Sequence, residues 1–247
     1  MSAATISAAR RPQRRMNIAR HRGLIAIIAV FVALLAFVDA ISPTKLAYYD
    51  FASLAGSGTA LALASIGQTF VIVVGGFDLS AGAVIELVNS LLATTPQPTD
   101  GALLGAVLMG LAAGAAVGAF NGFFVAFMRM QPIVVTLATM FLVRGVTLLI
   151  LPDPGGAVSQ SLTTLLAGNA IPGLLPAPIV VVVVALGIWL ALRRMRFGTA
   201  LFAAGSDPES AHAAGINVRW TRFAAFTLGG LFYGAAGGPD CDLVFGG

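Results

Sequence analysis

The stretch VIVVGGFDLSAGAVIELV, Val71 to Val88, is apolar at both ends and broken in its middle by two glycines, an aspartate and a serine. Composition decides which solvent surrounds it. The chain of 247 residues is 58% hydrophobic and 10% charged, with a mean hydropathy of +0.93. A soluble domain carries about 25% charged residues, so this is an integral membrane protein and the stretch is a membrane helix interrupted near residues 75–80. The expected fold is an all-α, polytopic transmembrane helix bundle.

Apolar runs of about 20 residues are needed to cross the hydrocarbon core. Seven candidate spans meet or approach that length, roughly 23–42, 51–74, 79–95, 101–128, 133–151, 177–192 and 223–238. The arginines lie in short clusters beside these spans, as orienting charges do, and not on one folded face that would bind nucleic acid. Residues 1–22 form a basic tail with Arg10, Arg11, Arg14, Arg15, Arg20 and Arg22. The pattern favours a retained first helix over a cleaved signal, because the basic region is long and more spans follow. With that tail cytoplasmic, Arg129 and the segment 193–222 also fall inside, while Lys45, Pro96–Asp100 and the Pro/Gly-rich loop 152–176 fall outside. The chain is thus expected to be a multi-pass protein of the cell (inner) membrane with a cytoplasmic N-terminus.

The break at Gly75 and Gly76 weakens the second helix, and Asp78 or Ser80 has the right chemistry to cap the next one by accepting hydrogen bonds from its orphan amides. Irregular backbone at this depth is tolerated only where protein or water surrounds it, so the segment should face the bundle interior or the cytoplasmic mouth. Glu86 lies two helical turns beyond Asp78 and nearly on its face. Two acids so placed could relay protons, which defines a rival reading, a proton-coupled secondary transporter. Asn121 sits near the end of the fourth span, and Thr136 and Arg144 lie in the fifth. Arg144 needs a carboxylate or carbonyl partner or must reach the outer surface; Glu86 is a candidate. Gly75, Gly76, Asp78, Ser80, Glu86, Asn121, Thr136 and Arg144 are therefore the candidate pathway or gating residues.

Two further patterns concern packing and partners. Gly110, Gly114, Gly118 and Gly122 recur every fourth residue, the spacing that lets a neighbouring helix approach backbone to backbone in lipid. Between the sixth and seventh spans, Asp207 is a plausible N-cap, Pro208 fits the first helical position and Gly215 a C-terminal stop. They mark a helix of about seven residues, roughly 10 Å long, too short to be stable alone. It needs a partner surface.

Several chemistries are excluded. There is no GxxxxGK[ST] stretch, so the chain does not bind ATP through a P-loop. One cysteine and two histidines, without HExxH, exclude a disulfide framework, a Cys-rich metal site and a zinc protease, and no GxSxG elbow is present. The chain is read as no enzyme, with no metal and no cofactor of its own.

Three blocks carry a resemblance: GQTFVIVVGGFDLSAGAVIEL (Gly67–Leu87), GAFNGFFVAFMRMQPIVVTLATMFLVRGVTLLI (Gly118–Ile150) and FGTALFAAGSDPESAHAAGINV (Phe197–Val218). Together they resemble the transmembrane permease subunits of bacterial ATP-binding-cassette sugar importers of the ribose/xylose type. The resemblance implies a homodimeric or heterodimeric permease, the homodimer preferred, embedded in lipid. It also implies two cytoplasmic ATPase subunits that carry ATP–Mg, and a periplasmic or extracellular sugar-binding protein. It makes Gly205, Asp207, Pro208, Glu209, Ala211 and Gly215 the coupling segment that docks on the ATPase. Transport would be inward, by alternating access; branched-chain amino-acid permeases are the nearest competitor. Family members continue for several more spans, so 23–238 is expected to be an incomplete permease domain and 239–247 an atypical tail.

Overall fold

A computed structural model describes residues 22–42, 47–95, 100–153, 168–171 and 175–245. The chain divides into two compact units, Met1–Ala47 and Tyr48–Gly247. The described part of the first is a single helix, α1 (Arg22–Ile41). It is apolar on every face, the pattern of a lipid-spanning helix. The basic tail before it lies outside the described residues.

The second unit is a helix bundle: α2 (Tyr48–Val73), α3 (Ala81–Thr94), α4 (Asp100–Ala126), α5 (Pro132–Ile150), α6 (Ala177–Arg194), α7 (Arg196–Ser206), α8 (Pro208–Ala213) and α9 (Val218–Phe245). A two-stranded antiparallel hairpin, β1 (Asn169–Ile171) with β2 (Leu175–Pro176), leads into α6. It falls in the loop expected between the fifth and sixth spans, the rest of which lies mostly outside the described residues. Five described helices are long and apolar enough to cross a membrane: α1, α2, α4, α5 and α6. At 14 residues, or about 21 Å, α3 is shorter than the span expected over 79–95, because Leu79 and Ser80 belong to the break. The seventh expected span corresponds to α9, which runs beyond residue 238 to Phe245.

Helix α9 is the hub of the unit, packed most extensively on α4 and then on α2 and α3. The glycine stripe of α4 explains the first contact. Gly114 and Gly230 face each other so closely that a Cβ on either would fall on the other's carbonyl oxygen, and a Cβ on Gly234 would fall on that of Gly110. Backbones at this separation gain dispersion contacts that larger side chains would prevent, the main source of helix association in lipid. The partner stripe, Phe226-Gly230-Gly234 at the same four-residue spacing, was legible in the sequence and not singled out there. On the opposite side of α9, Phe232 stacks on Phe70 of α2 with centroids 5.5 Å apart. Trp189 of α6 meets Phe70 edge-on at 4.6 Å. This trio closes the core between α2, α6 and α9.

Candidate functional site

The break between α2 and α3 is built from backbone signals first. The Gly75 N–H donates to the Ile72 carbonyl and the Gly76 N–H to the Val71 carbonyl, both at 2.9 Å. With Gly75 at φ +78°, this is the paired 5→2 and 6→1 closure that terminates a helix through a left-handed glycine. The glycines therefore stop α2 actively. Gly76 admits no side chain of its own without crowding the Phe226 ring and Val71, each 3.0 Å from where a Cβ would sit.

The chain then carries Asp78 into the bundle interior, 4% exposed, with Ser80 fully buried beside it. The Ser80 N–H and hydroxyl both donate to Asp78 Oδ1, at 2.8 and 2.6 Å. Asn121 Nδ2 of α4 donates to Ser80 Oγ at 2.9 Å. Thr136 of α5 bridges the same loop: its hydroxyl accepts from the Leu79 N–H at 3.1 Å and donates to the Phe77 carbonyl at 3.3 Å. The capping expectation needs correction. Ser80 occupies the N-cap position of α3, but its side chain caps no amide; it is spent on Asp78. The aspartate closes the turn before the helix and accepts from the N–H of the N-cap residue Ser80. Among the described residues, Asp78 Oδ2 and Asn121 Oδ1 have no hydrogen-bond partner.

Two residues absent from the sequence-based set complete this cluster. Gln68 of α2, with its amide placed to satisfy both ends, accepts from the Asp78 N–H at 3.1 Å and donates to the Asp78 carbonyl at 3.3 Å. It also donates to the hydroxyl of Tyr233 on α9 at 2.7 Å. Gly67 brings the two helices near enough, since a Cβ there would lie 2.8 Å from the Gly229 carbonyl oxygen. The available signal was a glutamine inside an apolar span, where an amide costs free energy unless paired. Four helices, α2, α4, α5 and α9, thus hold one irregular segment.

Glu86 and Arg144 form a separate feature. Arg144 Nε and Nη2 donate to the two carboxylate oxygens of Glu86, each at 3.3 Å, across α3 and α5. Both side chains are half exposed. Glu86 is therefore turned outward from the bundle while Asp78 is buried inside it. The shared face expected for these two acids does not exist, because Asp78 precedes α3 and does not follow its helical phase; the proton-relay reading loses its geometric basis.

At the end of the bundle that carries Arg129, Arg193, Arg219 and Arg222, α8 is fixed at both ends. Asp207 accepts from the Glu209 and Ser210 amides at 3.1 Å, and from the Ser210 hydroxyl. These bonds hold its carboxyl below the usual carboxylate range, the Ser210 hydroxyl contributing most. Pro208 takes the first helical position. Gly215, at φ +85°, donates to the His212 carbonyl and Ile216 to that of Ala211, the same closure as at Gly75. The helix is six residues long. Two residues of the expected docking set face their own chain. Ala211 is 5% exposed, and Gly205 on α7 abuts the Val73 carbonyl at the end of α2. Ser210, Ala213 and Ala214 are exposed and, at i, i+3 and i+4, share one outward face.

Residues 51–239 match the family described as the branched-chain amino acid transport system / permease component. The chain is similar to the ribose import permease protein of Bacillus subtilis, 36% identical over 71% of this chain and 55% of the relative. It is 31% identical to the D-allose transport system permease protein of Escherichia coli, over 71% of this chain and 54% of that one. Against the L-arabinose transport system permease protein of Escherichia coli the identity is 34%, covering 96% and 72%. The chain thus spans roughly half to seven-tenths of the length of these curated relatives. No solved structure matches it. The match over residues 51–239 shows that the chain belongs to the branched-chain amino acid transport system / permease component family.

Proposed function

We propose that the chain works as the membrane permease subunit of an ATP-binding-cassette importer, moving a monosaccharide of the ribose/xylose type inward by alternating access. The observation that carries this reading is α8, a helix of six residues capped at both ends. A helix that short has no stability of its own. Its Ala211 face rests on the bundle, and its Ser210, Ala213 and Ala214 face is left for a partner. In this reading the arginine-bearing end is cytoplasmic, the membrane is the cell (inner) membrane, and the partner is an ATPase subunit that holds ATP–Mg. A second permease copy and an extracytoplasmic sugar-binding protein complete the assembly. The relatives named for ribose, allose and arabinose support a monosaccharide over an amino acid.

The break above α8 suits a moving part. Asn121 lies five residues before the end of α4 and Thr136 four residues into α5, so the Asp78 cluster sits about 7 Å above the helix ends. Displacement of α7 and α8 would reach α2 through the Gly205–Val73 contact. The reading is tested by uptake into vesicles reconstituted with the permease, its ATPase and its binding protein. Uptake should require ATP and survive an uncoupler; uptake driven by a proton gradient alone would sink it.

A further inference from the structure

Between α8, the α4–α5 connection and the start of α9 lies a cavity of about 870 Å³, within the size range of small-molecule sites. Arg129, Arg219 and Arg222 line it from two separate elements, against one carboxylate, Glu209, and the imidazole of His212. Arg222 is half-buried and Arg129 and Arg219 are exposed. None of the three arginines forms an ion pair among the described residues. Three cations facing one concave space with a single carboxylate among them leave a net positive charge there, and each guanidinium has donors suited to a phosphate. Below them Val74, Val125 and Phe226 form an apolar floor.

The backbone supports a role for this arrangement. Arg129 adopts φ +55°, a left-handed conformation that favours glycine and strains another residue. The Met130 N–H returns to the Phe124 carbonyl at 3.2 Å to close the turn. Glycine would relax that turn, but it would bring no charge to the cavity.

We propose that this cavity binds a phosphate group and that Arg129, Arg219 and Arg222 are its ligands. The group comes either from a soluble phosphate or from the headgroup of an anionic phospholipid. A bound phosphate ties the α4–α5 connection to the start of α9 directly beside α8, so its occupancy bears on how firmly α8 is held. The proposal needs neither the sugar nor the ATPase, so it stands or falls apart from the transport reading.

The test uses the purified full chain. In detergent, inorganic phosphate should raise the melting temperature where sodium chloride at equal ionic strength does not. Arg219→Gln combined with Arg222→Gln should weaken the phosphate affinity at least about tenfold, the loss of roughly one charge-assisted hydrogen bond. Arg129→Gly suits the left-handed turn while removing one guanidinium, and it too should lower the affinity. Native mass spectrometry from nanodiscs of phosphatidylglycerol and phosphatidylcholine then separates the sources. Selective retention of one phosphatidylglycerol, lost in the arginine variants, assigns the headgroup; a phosphate response without lipid selectivity assigns the soluble anion. No phosphate response together with no lipid selectivity overturns the proposal, as does binding that is undiminished in all the variants. Arginine variants that lose only the co-purifying ATPase, with no anion bound to the parent protein, would make this a protein-docking surface instead.

Discussion

Gln68 meets the peptide of Asp78 as a neighbouring strand would, accepting from its N–H at 3.1 Å and donating to its carbonyl at 3.3 Å. One side chain thereby satisfies the backbone of an irregular residue that has no helix of its own to pair with, and Tyr233 holds the amide in place. Gln68→Leu keeps the volume and leaves both groups unpaired, each costing about 1–3 kcal/mol when buried. Tyr233→Phe removes only the anchoring hydroxyl and should cost about 1 kcal/mol. Denaturation in mixed micelles measures both; equal losses would show that Gln68 acts through Tyr233 alone.

Asp78 itself offers a sharper pair of substitutions. Asp78→Asn retains an oxygen for the Ser80 amide and hydroxyl and replaces an unpartnered carboxylate oxygen with a donor. The expected result is a protein at least as stable as the parent. Asp78→Ala removes both bonds and should lose about 1–3 kcal/mol. If the Asn variant inserts normally and abolishes uptake, the charge of Asp78 has a role in transport that the hydrogen bonds alone do not supply.

How much of this was legible follows from which interactions are local. The cap at Asp207, the left-handed stop at Gly215 and the break at Gly75 are each written in a few neighbouring residues, and the sequence places all three. The pairing of Arg144 with Glu86 could be anticipated because an intramembrane cation restricts its own partners. Gln68 could not be assigned, because what it binds is a backbone segment that only the folded bundle brings beside it. The facing of Ala211 could not be read for a similar reason: six residues of small and polar side chains carry too little amphipathic pattern to say which side is buried.

The α4–α9 contact is tested at its closest point. Gly230→Ala would place a methyl group on the Gly114 carbonyl oxygen, where the backbone cannot yield as a flexible side chain would. The expected loss is about 1–3 kcal/mol. Gly105→Ala, with nothing near its Cβ position, is the matched control in α4 and should be neutral. Thermal unfolding of the two variants compares them, and equal melting temperatures would mean that α4 and α9 are not packed glycine to glycine.

For Glu86 and Arg144 the informative variant is the exchanged pair. Glu86→Gln leaves a cation and Arg144→Gln an anion unpaired at a helix face within the spans, and either should lower the yield of inserted, folded protein. Glu86→Arg with Arg144→Glu restores opposite charges at the same separation, so it should recover most of what the single variants lose. A coupling energy well above the roughly 1 kcal/mol of a solvated surface pair would place the pair against lipid or a second protein. Failure of the exchange to rescue either variant would show that the pairing contributes nothing to the fold.

Helix α8 separates a structural surface from a docking one within six residues. Ala211→Arg forces a cation into a position that is 5% exposed and should disturb the packing of α8 on the bundle before any partner is involved. Ala213→Arg lies on the outward face, where the permease alone has nothing to clash with. It should leave the melting temperature of the isolated permease unchanged, while a partner that approaches this face closely must accommodate an added volume and desolvate an added charge. The expected outcome is an inserted, stable Ala213→Arg permease that no longer co-purifies its ATPase and no longer transports. Because Ala213 does not line the arginine cavity, phosphate binding by this variant should be undiminished, which separates the two surfaces of the helix. An Ala213→Arg protein that retains both its ATPase and its uptake would mean that the Ser210, Ala213 and Ala214 face contacts solvent, and the coupling role would have to be sought elsewhere in residues 193–222.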